Sequence, residues 1–285
     1  MESGKGFEKQ TDLQRTVATM KVSVILIGYN SWHFLEKNLA SLHFLFQHPE
    51  AEIIYVDNAS ADGSVSMIQS LYPSVKIIEN KVNTGISVAR NQGIRAASGE
   101  YLWILDSDTE ATEDAFQAML VFMDSHPEAG VCGCKMYGQD GDVQDSCRPF
   151  PSVKGKLKAA WSIISERLHP YPACGGTHSI SYYDTNAEQP FEADYVIGAC
   201  QFVRKAAQQK VGLLDEHIFY GPEDADFCLR MKQAGYKVYY LPQTAMYHAY
   251  QRVSSRQLFS GMNRKHIQGL FYYFRKHYTC KTKTK

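Results

Sequence analysis

Two carboxylates one residue apart, Asp106 and Asp108, close the run Tyr101-Leu102-Trp103-Ile104-Leu105. A short run of this composition predicts a strand covered on both faces. Side chains on extended backbone alternate, so Asp106 and Asp108 point the same way and Ser107 the other. Open α/β sheets place their ligands at the carboxyl ends of such strands. Paired carboxylates repel each other at neutral pH, and a divalent cation relieves that repulsion. The spacing points to a metal site.

A second acidic group, Glu223-Asp224-Ala225-Asp226, follows Pro222 at the start of a predicted helix that Gly235 ends. On a helical wheel Asp224 shares a stripe with Cys228 and Met231 and points inward. Asp226 falls on the opposite side, near Arg230 and Gln233, and reads as a solvent or salt-bridge residue. An inward carboxylate with apolar neighbours is a candidate general base. The alternative is that all three acids simply complement the helix dipole. His248, past the last predicted strand, is placed to complete a Mg or Mn site whose other ligands are oxygens, although imidazole suits Mn better.

The elements that must position these groups alternate. Lys21 to Ile27 predicts a strand, and Ser31 caps a helix to about Phe46 with Phe34, Leu35, Leu39, Leu42 and Phe46 on one stripe. Glu52 to Val56 is a second strand, ending in the turn-forming run Asp57 to Ser64. A helix to Leu71, a strand at Val75 to Ile78, a polar loop at Asn80 to Gly85 and a helix from Ile86 to Ala97 lead to the strand that ends at Asp106. This β-α-β-α-β-α-β order calls for a mostly parallel sheet flanked by helices, with its polar strand-end loops along one edge. Thr112 caps the next helix, with Glu113 and Asp114 in its first turn. From Gly130 to about Pro190 the pattern blurs into loops and a short basic helix at Lys154 to Arg167. A strand broken at Gly198-Ala199 spans Tyr195 to Val203, the last strand is Tyr236 to Leu241, and a basic, aromatic helix runs from Arg256 to Tyr278.

A chain of 285 residues with 44% hydrophobic content can bury a substantial core. Thirty basic residues balance thirty acidic ones, so no global field argues for nucleic acid. The longest apolar run, Val22 to Ile27, is far short of the ~20 residues that span a bilayer. The first nineteen residues are polar and read as a disordered tail rather than a signal peptide. Seven cysteines without zinc-ribbon or redox spacing read as reduced thiols of a cytoplasmic protein.

Two family resemblances bear on the aspartates. Leu105-Asp106-Ser107-Asp108-Thr109 resembles the opening motif of haloacid-dehalogenase-type phosphatases, which would make Asp106 a nucleophile. That motif normally follows the first strand of its domain, and here three strand-helix units precede it. The second resemblance covers most of the chain. Val22 to Asn30, Val56 to Ser64, Asn83 to Gly93, Asp106-Ser107-Asp108 and Glu223-Asp224 are similar, in order, to the motifs of family 2 glycosyltransferases. Gly198-Ala199-Cys200, Glu223 to Asp226 and Tyr272 to Tyr278 resemble the rhamnosyltransferase-like branch of that family.

This resemblance implies a GT-A fold, that is, a Rossmann-like, mostly parallel sheet with a smaller mixed region on the acceptor side. It implies a tail at 1–20, a catalytic domain at 21–250 and a C-terminal helix at 251–285. Within the catalytic domain, 21–110 would be the nucleotide-binding half and 111–250 the acceptor-binding half. The donor would be a nucleoside-diphosphate sugar and the acceptor a saccharide or lipid-linked saccharide. Tyr29, Asn30, Asp57, Asn58, Gly85 and Arg90 would form the nucleotide site, with Asp57 accepting from the pyrimidine ring and Arg90 helping to hold the base. Asp106, Asp108 and His248 would hold Mg or Mn, and Gly198 and Ala199 would lie at the donor sugar. Asp224, beside Glu223, would deprotonate the acceptor hydroxyl, and one base with direct displacement implies inversion. Arg90 resembles members that use UDP-sugars, whereas the branch resemblance points to dTDP-rhamnose, so the donor base stays open. The C-terminal helix reads either as packed on the domain with snorkelling cations or as a peripheral contact with an anionic membrane face.

Overall fold

Strand β1 (Val22–Gly28) is buried along its whole length and carries parallel neighbours on both sides. The structure, a computed structural model, describes residues 20–155, 183–249 and 261–278. The expected tail, nearly all of the basic segment Lys154 to Arg167 and the start of the C-terminal helix at Arg256 lie outside the described residues.

In chain order the elements are β1, α1 (Trp32–Ser41) with a 3-10 turn at His43–Gln47, β2 (Ala51–Asp57), α2 (Ser64–Leu71), β3 (Lys76–Glu79), α3 (Ile86–Ala96), β4 (Tyr101–Asp106), β5 (Thr109–Glu110) and α4 (Glu113–Ser125). There follow β6 (Ala129–Tyr137), β7 (Cys147–Arg148), β8 (Phe191–Glu192), β9 (Tyr195–Val196), β10 (Cys200–Arg204), α5 (Lys205–Val211), α6 (Glu223–Gln233), β11 (Lys237–His248) and α7 (Gly261–Tyr278). The main sheet has the order β3-β2-β1-β4-β10-β6-β11-β5, with β8 beside β11. Strands β1 to β4 are parallel, as the alternating pattern requires. Beyond them β10 runs antiparallel between β4 and β6, which makes that half of the sheet mixed.

Alternate residues of β4 face two cores. Trp103 and Leu105 join Leu35 and Leu39 of α1 and Phe116 and Met119 of α4, whereas Leu102 and Ile104 join Ile94 of α3 and Phe227 and Met231 of α6. Trp103 lies 5.4 Å from the Phe116 ring and 6.0 Å from Phe202, contacts worth about 1 kcal/mol each beyond area burial. The described cysteines are buried and free, and no described helix is long and apolar enough to cross a membrane.

Helix α1 ends at Ser41 rather than near Phe46, the rest being the 3-10 turn, and Ser31 makes no side-chain cap hydrogen bond. Three further elements differ from expectation. The blurred stretch after Gly130 contains β6, whose glycines mark close packing rather than a loop. A Cβ on Gly130 would meet Tyr236 at 2.9 Å, and one on Gly133 would meet Val196 at 2.9 Å. The expected strand Tyr195 to Val203 is divided between two sheets, β9 pairing with β7 and β10 with β4. The last strand does not stop at Leu241. It continues past Pro242 through a register shift and delivers His248 as its final residue, Pro being tolerated at such an irregularity.

A buried carboxylate ties the first strands together. Glu52 accepts from Ser23 Oγ at 2.5 Å, Ser98 N at 2.7 Å and Lys76 Nζ at 2.6 Å. Burial alone would raise its pKa, but Lys76 and the two serines bring it down to about 2. A depressed folded pKa adds stability above the ordinary value of 4.5, and that stability is lost as pH falls towards 2. Glu52→Ala should therefore unfold with about 3 kcal/mol less free energy at pH 7 and a smaller deficit at pH 3, measured by urea denaturation at both pH values.

Candidate functional site

The backbone of β4 stops being extended at Asp106, and a turn through Ser107-Asp108 leads straight into β5. Strand β5 pairs with the end of β11, setting Thr109 opposite His248, and Ala249 N donates to Asp108 O at 2.8 Å. Asp106, Asp108 and His248 therefore present ligand atoms within 4.8 Å of one another. Helix α1 braces the turn from below. Asn38 Nδ2 donates to Thr109 O at 2.8 Å, and Ala111 N donates to Ser41 Oγ at 2.9 Å.

The tautomer of His248 follows from its neighbour. Gln144 Nε2 donates to His248 O at 2.9 Å, which turns Gln144 Oε1 towards His248 Nδ1 at 2.8 Å. An amide oxygen only accepts, so Nδ1 carries a proton and Nε2 is the nitrogen that faces Asp108 Oδ1 at 3.4 Å. A nitrogen and a carboxylate oxygen at that distance accommodate either a proton or a shared cation. A metal-bound histidine ordinarily has its second nitrogen tied in this way. The donor set of two carboxylates and one imidazole fits Mn and, less well, Mg. Neither Gln144 nor Asn38 was identifiable in the sequence, because the contacts span 104 and 71 residues and neither residue belongs to a spaced motif.

Arg90 corrects an expectation. It was expected beside the base, but it is 1% exposed and works as a buried hub. Its Nη2 donates to Asp106 Oδ1 at 2.7 Å and to Gly198 O at 2.9 Å, and its Nη1 to Glu223 Oε1 at 2.9 Å. A side chain on Gly198 would collide with the guanidinium, so the glycine is required here. Gly198 N in turn donates to Asp224 Oδ2 at 3.2 Å, and Asp106 N to Ala199 O at 3.3 Å. The Gly198-Ala199 turn thus joins the two acidic groups. Burial works against the charge of Arg90, but Asp106 and Glu223 outweigh it and hold its pKa above the usual value. Glu223 is buried and also accepts from Gly221 N at 2.6 Å. Burial and then the charge of Asp224 push its carboxyl up to about 7, with Arg90 pulling the other way.

A cavity of about 250 Å³ opens beside Asp106 and Asp108, walled by Tyr29, Asn30, Asn58, Gly85, Phe219 and Met262 among others. Of the expected nucleotide residues, Tyr29, Asn30, Asn58 and Gly85 line it, whereas Asp57 and Arg90 do not. Asp57 is buried, accepting from Ser60 N at 2.8 Å and from the Tyr55 hydroxyl at 3.2 Å. Ser60 Oγ then accepts from Asn30 N at 2.9 Å. Asp57 thus shapes the cavity wall from one layer below, a depth that its place at the head of a polar run does not reveal. Asn58 accepts from Thr84 N at 2.9 Å and donates to Asn83 at 3.1 Å, locking the loops after β2 and β3. The Asn83 to Gly93 motif also clamps a distant segment. Ser87 Oγ donates to Ile218 O at 2.6 Å, and Asn91 Oδ1 accepts from Leu214 N at 2.9 Å.

The wheel reading of α6 is half reversed. Asp224 is partly exposed, and Asp226 is completely buried. Asp226 does form salt bridges, with Arg230 at 2.9 Å and with Lys276 and His277 at 2.7 Å each, but it does not face solvent. The reason is α7, which covers the side of α6 that a wheel drawn on one helix leaves open. Tyr273 of α7 is fully buried, and Lys276 and His277 turn inward. The described part of this helix is packed on the domain.

The sequence model of glycosyl transferase family 2 matches residues 23–212, and that of a glycosyltransferase (GlcNAc) family matches residues 154–285. An N-acetylglucosaminyl-diphospho-decaprenol L-rhamnosyltransferase of Mycobacterium tuberculosis is 27% identical over 249 residues, 79% of this chain and 75% of its own. A poly-beta-1,6-N-acetyl-D-glucosamine synthase of Staphylococcus epidermidis is 32% identical over 111 residues, 38% of this chain and 27% of its own. Among solved structures, S. aureus TarS 1-349 superposes with a TM-score of 0.59 at 19% identity, covering 93% of this chain and 76% of that one. A mannosyltransferase of Pyrobaculum calidifontis in complex with GDP-Man and Mn2+ gives 0.59 at 18% identity, covering 90% and 64%. None of these similarities supports the phosphatase reading of Asp106. With its sheet, its acidic turn and more than half its length matched, the chain belongs to glycosyl transferase family 2 and has the GT-A fold.

Proposed function

We propose that the chain moves a sugar from a nucleoside-diphosphate sugar to a hydroxyl of a saccharide or lipid-linked saccharide, with inversion and with the help of Mg or Mn. The observation that carries this reading is the cluster of Asp106, Asp108 and His248, whose ligand atoms lie within 4.8 Å of one another at the edge of the cavity. Asp108 and His248 would hold the cation, and Asp106 would contribute its carboxylate from the Arg90 ion pair. A divalent cation in that position would neutralise the departing nucleoside diphosphate. Tyr29, Asn30, Asn58 and Gly85 would bound the nucleoside, and Gly198-Ala199 would border the donor sugar.

Asp224 would take the acceptor proton. It is the carboxylate of the α6 pair with exposed surface, while Glu223 is locked onto Arg90 and Gly221. With Glu223 held in this way, no second carboxylate of the pair is free to act as nucleophile, which favours single displacement and inversion. The Mycobacterium tuberculosis relative acts on a lipid-diphosphate saccharide by name, which supports a lipid-linked acceptor. Since Arg90 lies in an ion pair, its identity no longer favours a UDP-sugar over dTDP-rhamnose.

Calorimetry with UDP, dTDP and GDP, each with and without Mn2+, tests the reading and selects the base. One nucleotide should bind in Mn2+ and lose at least about tenfold in affinity without it, a difference of about 1.4 kcal/mol. Asp108→Asn should abolish the difference. Equal binding without the ion would remove the metal site, and no binding of any nucleotide would remove the donor.

A further inference from the structure

We infer that helix α7 is a working wall of the donor cavity, and that Asp226 is the positioning residue that fastens it to the helix bearing Asp224. The inference rests on the cavity being the donor site.

Asp226 is completely buried, and its two carboxylate oxygens are divided between helices. Arg230 Nε, on its own helix, donates to Oδ2 at 2.9 Å, and Lys276 Nζ and His277 Nε2 of α7 donate to Oδ1 at 2.7 Å each. Removing one partner of such a cluster strands a buried charge, so the contact fixes the register of α7 on α6. Lys276 also donates to Asp215 Oδ2 at 2.7 Å, and Tyr272 OH donates to the same oxygen at 3.1 Å. The last turns of α7 therefore grip both ends of the segment from Asp215 to Asp226.

The first turns of α7 press on the middle of that segment. Gly269 lies against Gly221 O so closely that a side chain there would collide with it. A Cβ on Gly221 would meet His266 Nδ1 at 2.7 Å, and Lys265 Nζ stands 3.1 Å from the centre of the Phe219 ring. Phe219, Tyr220 and Met262 of α7 itself line the cavity. On the other side α3 holds the same segment, Ile86 N donating to Phe219 O at 2.8 Å. The wall is thus a strip of backbone clamped between α3 and α7, and only the α7 side depends on the Asp226 cluster.

A positioning role predicts a binding defect, whereas a purely structural role predicts only a stability defect. Two variants reach α7 by independent routes: Asp226→Asn weakens the clamp at one end, and Gly269→Ala lifts the helix from Gly221 at the other. With UDP, dTDP or GDP, whichever the wild-type chain binds in Mn2+, both should raise the nucleotide Kd about tenfold at a temperature where circular dichroism shows them folded. The donor KM should rise in parallel, and kcat at saturating donor should stay within about threefold. Lys276→Arg, which keeps a charge on Asp226, should recover most of the affinity that Lys276→Met loses. If Asp226→Asn does not fold, Gly269→Ala and the Lys276 pair decide the matter. Wild-type affinity in folded variants, with only the melting temperature lowered, would overturn the inference and leave the donor reading standing. A wild-type chain that binds no nucleotide would overturn both.

Discussion

Asp224→Asn should lower sugar transfer by about 10²–10⁴-fold, the usual worth of a positioned general base, and leave nucleotide binding close to wild type. The side chain has little structural work to lose. It is partly exposed and accepts from Gly198 N at 3.2 Å and from Ala225 N at 2.7 Å, and the amide oxygen of Asn can keep one of these bonds. The change in stability should therefore stay near 1 kcal/mol. Steady-state transfer assays and calorimetry on the same preparation separate the two effects. A variant with full transfer activity would exclude Asp224 as the base. Glu223→Gln offers the contrast. Glu223 reaches Arg90 and Gly221 rather than the cavity, so its replacement should act through the geometry of the site and the stability of the fold.

The parts of the site that were legible in the sequence are those fixed by local pattern. The apolar run into Asp106 announced a buried strand, and the one-residue spacing brought both aspartates to one place even though the backbone turns after Asp106. Thr112 caps its helix as its type suggests, accepting from Ala115 N at 3.1 Å. What stayed hidden depends on contacts across the chain. Gln144, which sets the His248 tautomer, sits in an unremarkable loop. Strand β6 was masked by glycines that packing demands. Arg90, in helix α3, and Asp57, at the end of β2, lie deeper than their motifs suggest, because spacing locates a residue along the chain and not beneath the surface. Asp226 failed for a related reason: a wheel shows which side of α6 a residue occupies, and α7 decides that this side is dry.

Arg90→Met should cost about 3–5 kcal/mol of folding stability, the scale for stranding a buried charge. The methionine fills much of the space, so the loss is mainly electrostatic. Asp106 and Glu223 lose the cation at 2.7 and 2.9 Å, and Gly198 O loses its donor. The loss should depend on pH in a definite direction. Glu223 already has a folded pKa raised from 4.5 to about 7. A raised pKa contributes stability that is complete below the unfolded value and is lost as pH rises through the folded one. Without Arg90, the one neighbour that lowers it most, this pKa rises further. Glu223 can then relieve its burial by keeping a proton at pH 6 and can do so less well at pH 8. Urea unfolding should accordingly find the variant closer to wild type at pH 6 than at pH 8. Arg90→Lys should recover only part of the loss, since one ammonium cannot span Asp106, Glu223 and Gly198 O as the guanidinium fork does. Equal deficits at the two pH values, or a deficit under about 1 kcal/mol, would mean that the two carboxylates bonded to Arg90 are stabilised by something other than its charge.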